Sequence, residues 1–175
     1  LRAKLAVDGS VEPDLYDWSV SYERNIIGLN IYEGSDGGPD YTEWNTGMMP
    51  AYSHLVMTES QRAYVKNTGG VPIDLSMNAT GSSWSFSNWP GIDTCLVMAL
   101  FFGTSAPVAA DYDTSADYLT GTFKDAGSTD AGPFASPSFN GVNILPDTGR
   151  LLYMLLATPE VNNEPDEQRI TITIQ

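Results

Sequence analysis

The closely spaced acidic residues of the segment 111–117 are the first candidates for chemistry. This segment reads DYDTSAD and contains the carboxylates of Asp111, Asp113 and Asp117. Ca²⁺ takes several oxygen ligands from alternate positions of a loop, so the spacing is compatible with a cation site. The segment lacks the glycine and the terminal glutamate of an EF-hand loop. A solvated turn is therefore the favoured interpretation, Ca²⁺ is the weaker alternative, and no other cofactor is predicted.

Nucleophilic chemistry has few candidates in this chain. Cys95 is the only cysteine and His54 the only histidine, and nothing in the sequence links the two as nucleophile and base. Cys95 begins the apolar run 95–102, where we expect it to be buried. Two carboxylates at a suitable separation would suffice for glycoside hydrolysis, but the sequence does not select a pair. The prediction is a protein that is not an enzyme.

Two features point to carbohydrate. Asn78-Ala79-Thr80 is the only Asn-x-Ser/Thr sequon, and it follows a predicted strand at the start of a turn, where an acceptor for N-glycosylation would be exposed. Tyr41 and Trp44 lie in the turn-rich segment 34–51, and exposed aromatic faces can stack on sugar rings. Packing of these aromatics onto the core is the alternative. Covalent glycans and bound glycans both stay open as predictions.

The charge balance excludes some partners. The chain has 175 residues, with 22 acidic against 8 basic side chains and a formal net charge of −14. Nucleic acid is excluded as a partner because phosphate contacts require lysine and arginine, and an anionic membrane surface is disfavoured for the same reason. The longest apolar run, 95–102, is too short for membrane insertion. We expect a mature chain from which any leader has been removed.

Strand patterns dominate the chain and turn residues separate them. The last residues alternate Ile170, Ile172 and Ile174 with polar neighbours, which is the period of a half-buried strand. Segments with strand character are 1–7, 18–22, 26–32, 54–58, 61–66, 71–77, 83–87, 95–102, 150–157 and 169–175. The best helical candidate is a short turn at 111–119, and the segments 34–51 and 125–141 are predicted to be long loops.

The predicted fold class is therefore all-β, an antiparallel β-sandwich of the Ig-like or jelly-roll type with an extended N-terminal strand. We assign residues 1–10 to the N-terminal strand and its hinge, and residues 11–175 to a single β-sandwich domain. At this length a domain can bury a full hydrophobic core without disulfides or structural metals.

Two stretches carry a resemblance to a known family. The run 64–76 (YVKNTGGVPIDLS) is followed by Trp84, Phe86 and the apolar strand from Cys95, and the run 141–146 (GVNILP) leads to the last two strands. This pattern resembles the TasA/camelysin-like group of Ig-like or jelly-roll extracellular fibre subunits. The resemblance implies an extracellular or cell-surface homopolymer, pilus-like in form, in which the N-terminal strand of one subunit completes the sheet of the next by donor-strand exchange.

The N-terminal segment has the composition that such a donor strand requires. Leu1, Ala3, Leu5 and Val7 share one face of residues 1–7, and they would be the apolar plugs at the subunit interface. Arg2 and Lys4 share the other face, so attraction to an acidic body would favour docking. The alternative is that residues 1–7 pair within their own domain as a first strand.

The leading functional prediction is a structural subunit of an extracellular filament that polymerises head to tail. The runner-up is a secreted carbohydrate-binding or adhesive β-sandwich module that uses Tyr41 and Trp44. A virion or surface-layer component is a third interpretation, which differs from a filament mainly in the geometry of assembly.

Overall fold

The computed structural model describes the main chain of residues 15–24 and, with side chains, residues 28–81, 83–163 and 168–175. The predicted donor residues Leu1, Ala3, Leu5 and Val7 lie outside these ranges. The regular secondary structure of the described part consists almost entirely of β-strands, which confirms the predicted all-β fold class.

The described strands follow the chain in this order: β1 Leu15–Arg24, β2 Leu29–Glu33, β3 Trp44–Pro50, β4 His54–Val56, β5 Ala63–Asn67, β6 Ser76–Gly81, β7 Ser85–Phe86, β8 Thr94–Phe101, β9 Lys124–Asp125, β10 Gly149–Ala157 and β11 Gln168–Ile174. A single 3₁₀ turn, Ala109–Asp111, is the one helical element among the described residues. The helical turn predicted at 111–119 is therefore mostly wrong.

Two sheets form the sandwich. Sheet A has the strand order β3-β1-β11-β6-β9, and sheet B has the order β2-β5-β10-β8-β7, with β4 also paired to β10. Most neighbouring strands are antiparallel, but β1 runs parallel to β11 from the pair Trp18 and Gln168 to the pair Arg24 and Ile174. The first described strand of the chain thus lies inside sheet A, between β3 and the last strand.

The hydrophobic core lies between the two sheets and follows the alternation of the strands. Ile170, Ile172 and Ile174 of β11 are buried, as the sequence predicts, while the residues between them are more exposed. β8 and β10 are buried along most of their length because their outer face is also partly covered. A continuous apolar run in the sequence therefore corresponds here to a strand buried on both faces.

Two of the sequence-based boundaries are wrong. The predicted strand 71–77 is largely irregular, and β6 begins only at Ser76. Asn67 explains part of this, because its side-chain amide donates hydrogen bonds to the carbonyl oxygens of Val71 at 2.7 Å and Ile144 at 2.9 Å and holds a turn after β5. The predicted loop 34–51 contains strand β3, whose register is shifted by a bulge near Gly47, a residue with φ of +66°.

The segment 125–141 is a long connection, but it does not lie only on the surface. Phe134 is fully buried in the core, and Ala135 and Ser136 are also buried. The Phe134 carbonyl accepts the Phe101 N–H at 3.0 Å, and the Ser136 hydroxyl donates to the Phe101 carbonyl at 2.6 Å. The segment therefore covers the edge of β8 that faces away from β10, near Phe101, where the short strand β7 does not reach. The polar composition of the segment gave no sign of this role.

Candidate functional site

Tyr41 and Trp44 are core residues, which corrects their prediction as glycan contacts. Their exposed fractions are 3% and 1%. The Tyr41 N–H donates to the Ile31 carbonyl at 2.9 Å, and its hydroxyl donates to the Gln61 carbonyl. Trp44 begins β3 and pairs with Val20 of β1. Because both rings are enclosed, neither presents a face on which a sugar could stack, and the alternative of core packing is confirmed.

Asn78 is also inside the fold, so the prediction of an exposed glycosylation site is wrong. The residue lies in the middle of β6 rather than at a turn, and it is 7% exposed. Its side-chain nitrogen, the atom that a glycan would modify, donates to the Gly121 carbonyl at 3.2 Å. The sequon is present in the sequence, but in the folded chain its acceptor is covered.

The carboxylates of Asp111, Asp113 and Asp117 do not converge on a cation. Asp111 accepts the Val108 N–H at 2.7 Å, and Asp113 accepts the backbone N–H and the hydroxyl of Ser115 at 2.7 and 2.6 Å. These hydrogen bonds lower the pKa of Asp113. Throughout the described ranges, no group of three or more His, Cys, Asp or Glu side chains is placed to hold a metal ion.

Asp117 differs from the other two because it is buried, with an exposed fraction of 1%. Its carboxylate accepts the Asp113 N–H at 2.8 Å and the Phe134 N–H at 2.7 Å. Burial raises its pKa to about 6, against the opposing effect of these hydrogen bonds. Lys124 lies nearby with its ammonium 3.5 Å from the centre of the Tyr118 ring. Asp117 thus fastens the 125–141 connection to the sandwich.

Cys95 and His54 lie on opposite faces of sheet B. Cys95 is fully buried in the core between the sheets, as predicted, and burial raises the pKa of its thiol. The imidazole of His54 is exposed on the outer face. The two side chains therefore do not form a nucleophile and base pair.

A groove of about 310 Å³ lies on that outer face of sheet B. The strand register shows which residues form its floor. In one row across the strands, Ala157 of β10 lies between His54 of β4 and Leu96 of β8. In the next row on the same face, Leu155 of β10 lies opposite Met98 of β8. Residues at directly opposite positions present their side chains to the same side of a sheet. Leu96, Met98, Leu155 and Ala157 form a small apolar cluster apart from the main core.

Two exposed aromatic residues flank this floor. Tyr52 lies two residues before the start of β4 and is 58% exposed, and Trp89 lies in the turn between β7 and β8 and is 62% exposed. β4 pairs with β10 on one side, and β7 pairs with β8 on the other. The two rings therefore border the groove from opposite flanks, and both line it.

The segment 158–161 holds both flanks in place. The Tyr52 N–H donates to the Pro159 carbonyl at 2.9 Å, and the Glu160 N–H donates to the Gly91 carbonyl at 3.0 Å, beside Trp89. Tyr52 has φ of +53°, a left-handed conformation that bulky residues rarely adopt. Backbone strain of this kind persists where the surrounding structure imposes it, and it is enriched at functional sites.

The groove is apolar with a few polar groups at its edge. Within the described ranges, its lining contains no Lys, Arg, Asp or Glu. The side chains of Tyr52, His54, Trp89 and Thr114 carry donors or acceptors that form no hydrogen bond with the residues the structure describes. Concave surfaces of this size with an apolar floor and few polar groups are typical of small-molecule sites.

The sequence gave only a weak indication of this site. Trp89 lies in the turn sequence Asn88-Trp89-Pro90-Gly91, but no sequence pattern indicated Tyr52.

Comparisons with protein-family models, with curated proteins and with solved structures return no match for this chain. Among the described residues, no helix has the length and apolar character needed to cross a bilayer. The class that the fold defines is an all-β sandwich, and the candidate site is the groove on its sheet B.

Proposed function

We propose that this protein is a structural, non-enzymatic subunit of an extracellular or cell-surface filament and that its partner is a second copy of itself. The observation that carries the proposal is the position of β3 at the edge of sheet A. In the part of the chain that the structure describes, β3 forms its strand pairing with β1 alone and is the outermost strand of that sheet. Such an edge accepts an added strand from another chain.

The position of β1 supports the same mechanism. Leu15, the first described residue, pairs with Pro50, so the chain enters β1 beside the end of β3. Both described sheets are continuous, and their buried core is formed by residues 29–174. The proposal therefore assigns the alternating segment 1–7 to the edge of a sheet in a neighbouring copy rather than to a position between the described strands.

Addition to the edge of a neighbouring copy produces a polymer. A head-to-tail contact of this kind does not close on itself, so it propagates. Burial of Leu1, Ala3, Leu5 and Val7 against the neighbour supplies the apolar part of the contact. Arg2 and Lys4 on the opposite face meet a body of net negative charge.

Deleting residues 1–10 is expected to leave monomers where the full chain forms filaments, as judged by negative-stain electron microscopy and light scattering. A sharper pair of variants keeps the length of the chain. Leu5→Asn with Val7→Asn changes the apolar face and is expected to abolish assembly, whereas Ala6→Asn changes the other face, leaves Arg2 and Lys4 in place and is expected to retain it. Filaments of unchanged yield from the deletion variant would contradict the proposal.

Assembly of the full chain is also expected to weaken with salt. Raising NaCl from about 0.05 to 0.5 M shortens the Debye length from roughly 14 Å to about 4 Å and screens the attraction of Arg2 and Lys4 to the acidic body. The growth rate of filaments, followed by light scattering, should fall several-fold over this range. An Arg2→Gln, Lys4→Gln variant should show little salt dependence, and an equal response from both proteins would remove the electrostatic part of the proposal.

A further inference from the structure

We propose that the groove on sheet B binds a neutral carbohydrate, a function that is separate from filament assembly. The Tyr52 and Trp89 rings are both more than half exposed. Two exposed aromatic side chains beside a concave apolar floor form the kind of apolar surface that marks ligand-binding grooves. A sugar ring has an apolar face of C–H groups that packs on aromatic and aliphatic surfaces, and hydroxyl groups at its rim.

The polar groups of the groove select among possible ligands. The Tyr52 hydroxyl, the His54 imidazole, the Trp89 indole N–H and the Thr114 hydroxyl form no hydrogen bond with the described residues. An entirely apolar ligand would remove water from these groups without replacing its hydrogen bonds, which is costly. Sugar hydroxyls both donate and accept hydrogen bonds, so they match this mixed set.

The charge of the groove and of the chain selects for a neutral ligand. The described residues that line the groove include no Lys, Arg, Asp or Glu, so an ionic group would find no ion-pair partner among them. The net charge of −14 further disfavours an anionic ligand through long-range repulsion. The chemical class that remains is a neutral saccharide unit or a short stretch of a neutral glycan chain.

Preorganisation supports a binding function for these residues. The hydrogen bonds from Tyr52 to Pro159 and from Glu160 to Gly91 fix the two flanks to one short segment. Thr158, which is fully buried, accepts the Ser53 N–H at 2.8 Å and donates to the Pro50 carbonyl at 2.8 Å. Little ordering is therefore required of the protein when a ligand binds, and this improves affinity.

The test is calorimetric titration of the full chain with neutral hexasaccharides of glucose, mannose, galactose and N-acetylglucosamine. At least one is expected to bind with a Kd of about 10 μM to 1 mM, a range suited to a shallow groove. Trp89→Ala and Tyr52→Gly should each weaken that binding about tenfold or more, because each removes one aromatic flank. Glycine at position 52 suits the left-handed conformation, so loss of binding there does not reflect loss of folding.

The control variant is Phe123→Ala. It removes an aromatic ring that is partly exposed, at 37%, but does not line the groove. The affinity of this variant for the hexasaccharide should stay within about twofold of the affinity of the unmodified chain. Deleting residues 1–10 should leave sugar binding unchanged, which separates this proposal from filament assembly.

Three outcomes would overturn the carbohydrate assignment. The first is the absence of binding to all four sugars at about 10 mM, and the second is binding that both Trp89→Ala and Tyr52→Gly leave intact. The third is groove-dependent binding of choline, or of a synthetic peptide with the sequence of residues 1–8, without sugar binding. The peptide result would assign the groove to a second copy of the chain instead.

Discussion

The Phe134→Ala variant is expected to lose about 4 kcal/mol of unfolding free energy, because it removes a fully buried aromatic ring from the core. The residue also has φ of +61°, so the connection carrying it is held in an unusual conformation by its surroundings. Without the ring, the segment 125–141 loses its main apolar anchor. Urea denaturation followed by tryptophan fluorescence measures the loss.

Phe139→Ala is the matched control for this prediction. It removes the same side chain from the same connection, but the Phe139 ring is 38% exposed. We expect a loss of about 1 kcal/mol or less. Equal losses from the two variants would show that Phe134 does not anchor the connection to the core.

The Asp117→Ala variant is expected to lose about 3 kcal/mol of unfolding free energy, because the backbone N–H groups of Asp113 and Phe134 both lose their acceptor inside the protein. This loss should not add fully to that of Phe134→Ala, since both variants release the same connection. A double variant that is destabilised by the full sum, about 7 kcal/mol, would indicate that the two residues act independently.

The same carboxylate predicts a pH dependence with a definite sign. Burial raises the pKa of Asp117 from 3.8 to about 6 in the folded chain. Between these two values the folded state binds the proton and the unfolded state does not, so this group increases the free energy of unfolding as pH falls from about 6 towards 4. Above pH 6 the buried charge is a cost to the folded state.

This dependence is measured as a difference between proteins. From pH 7 to pH 4.5 the unmodified chain should gain stability relative to Asp117→Asn by an amount on the order of 1 kcal/mol. Asp130→Asn is the control, since Asp130 is exposed in the same connection and should give the pH profile of the unmodified chain. Parallel profiles for Asp117→Asn and the unmodified chain would contradict the raised pKa.

Local sequence patterns predicted the strands well where the pattern is a property of the strand itself. The alternation of Ile170, Ile172 and Ile174 fixes which face of β11 is buried, whatever the neighbouring strand is. The apolar runs of β8 and β10 likewise required burial on both faces. The fold class follows from several such segments separated by turn residues.

Sequence patterns in the predicted loops and turns gave wrong predictions of exposure, because burial of these segments depends on partners that are distant in sequence. Trp44 lies among turn residues but begins a strand beside β1, and Asn78 belongs to a sequon but pairs within sheet A opposite Thr173. Phe134 lies in a polar segment and is fully buried. The composition of a segment cannot show which open position of the sandwich it covers.

The sequence by itself determined the all-β class, the burial of Cys95 and the acidic net charge, because these depend on local periodicity and on composition. Only the tertiary structure decided which acidic and aromatic residues are exposed. Asp117 became a buried anchor and Trp44 a core residue, while Trp89 and Tyr52 came to flank one groove. Strand order brings β4, β10, β8 and β7 side by side from separate parts of the chain. This arrangement is set by long-range pairing and is not encoded in any single segment.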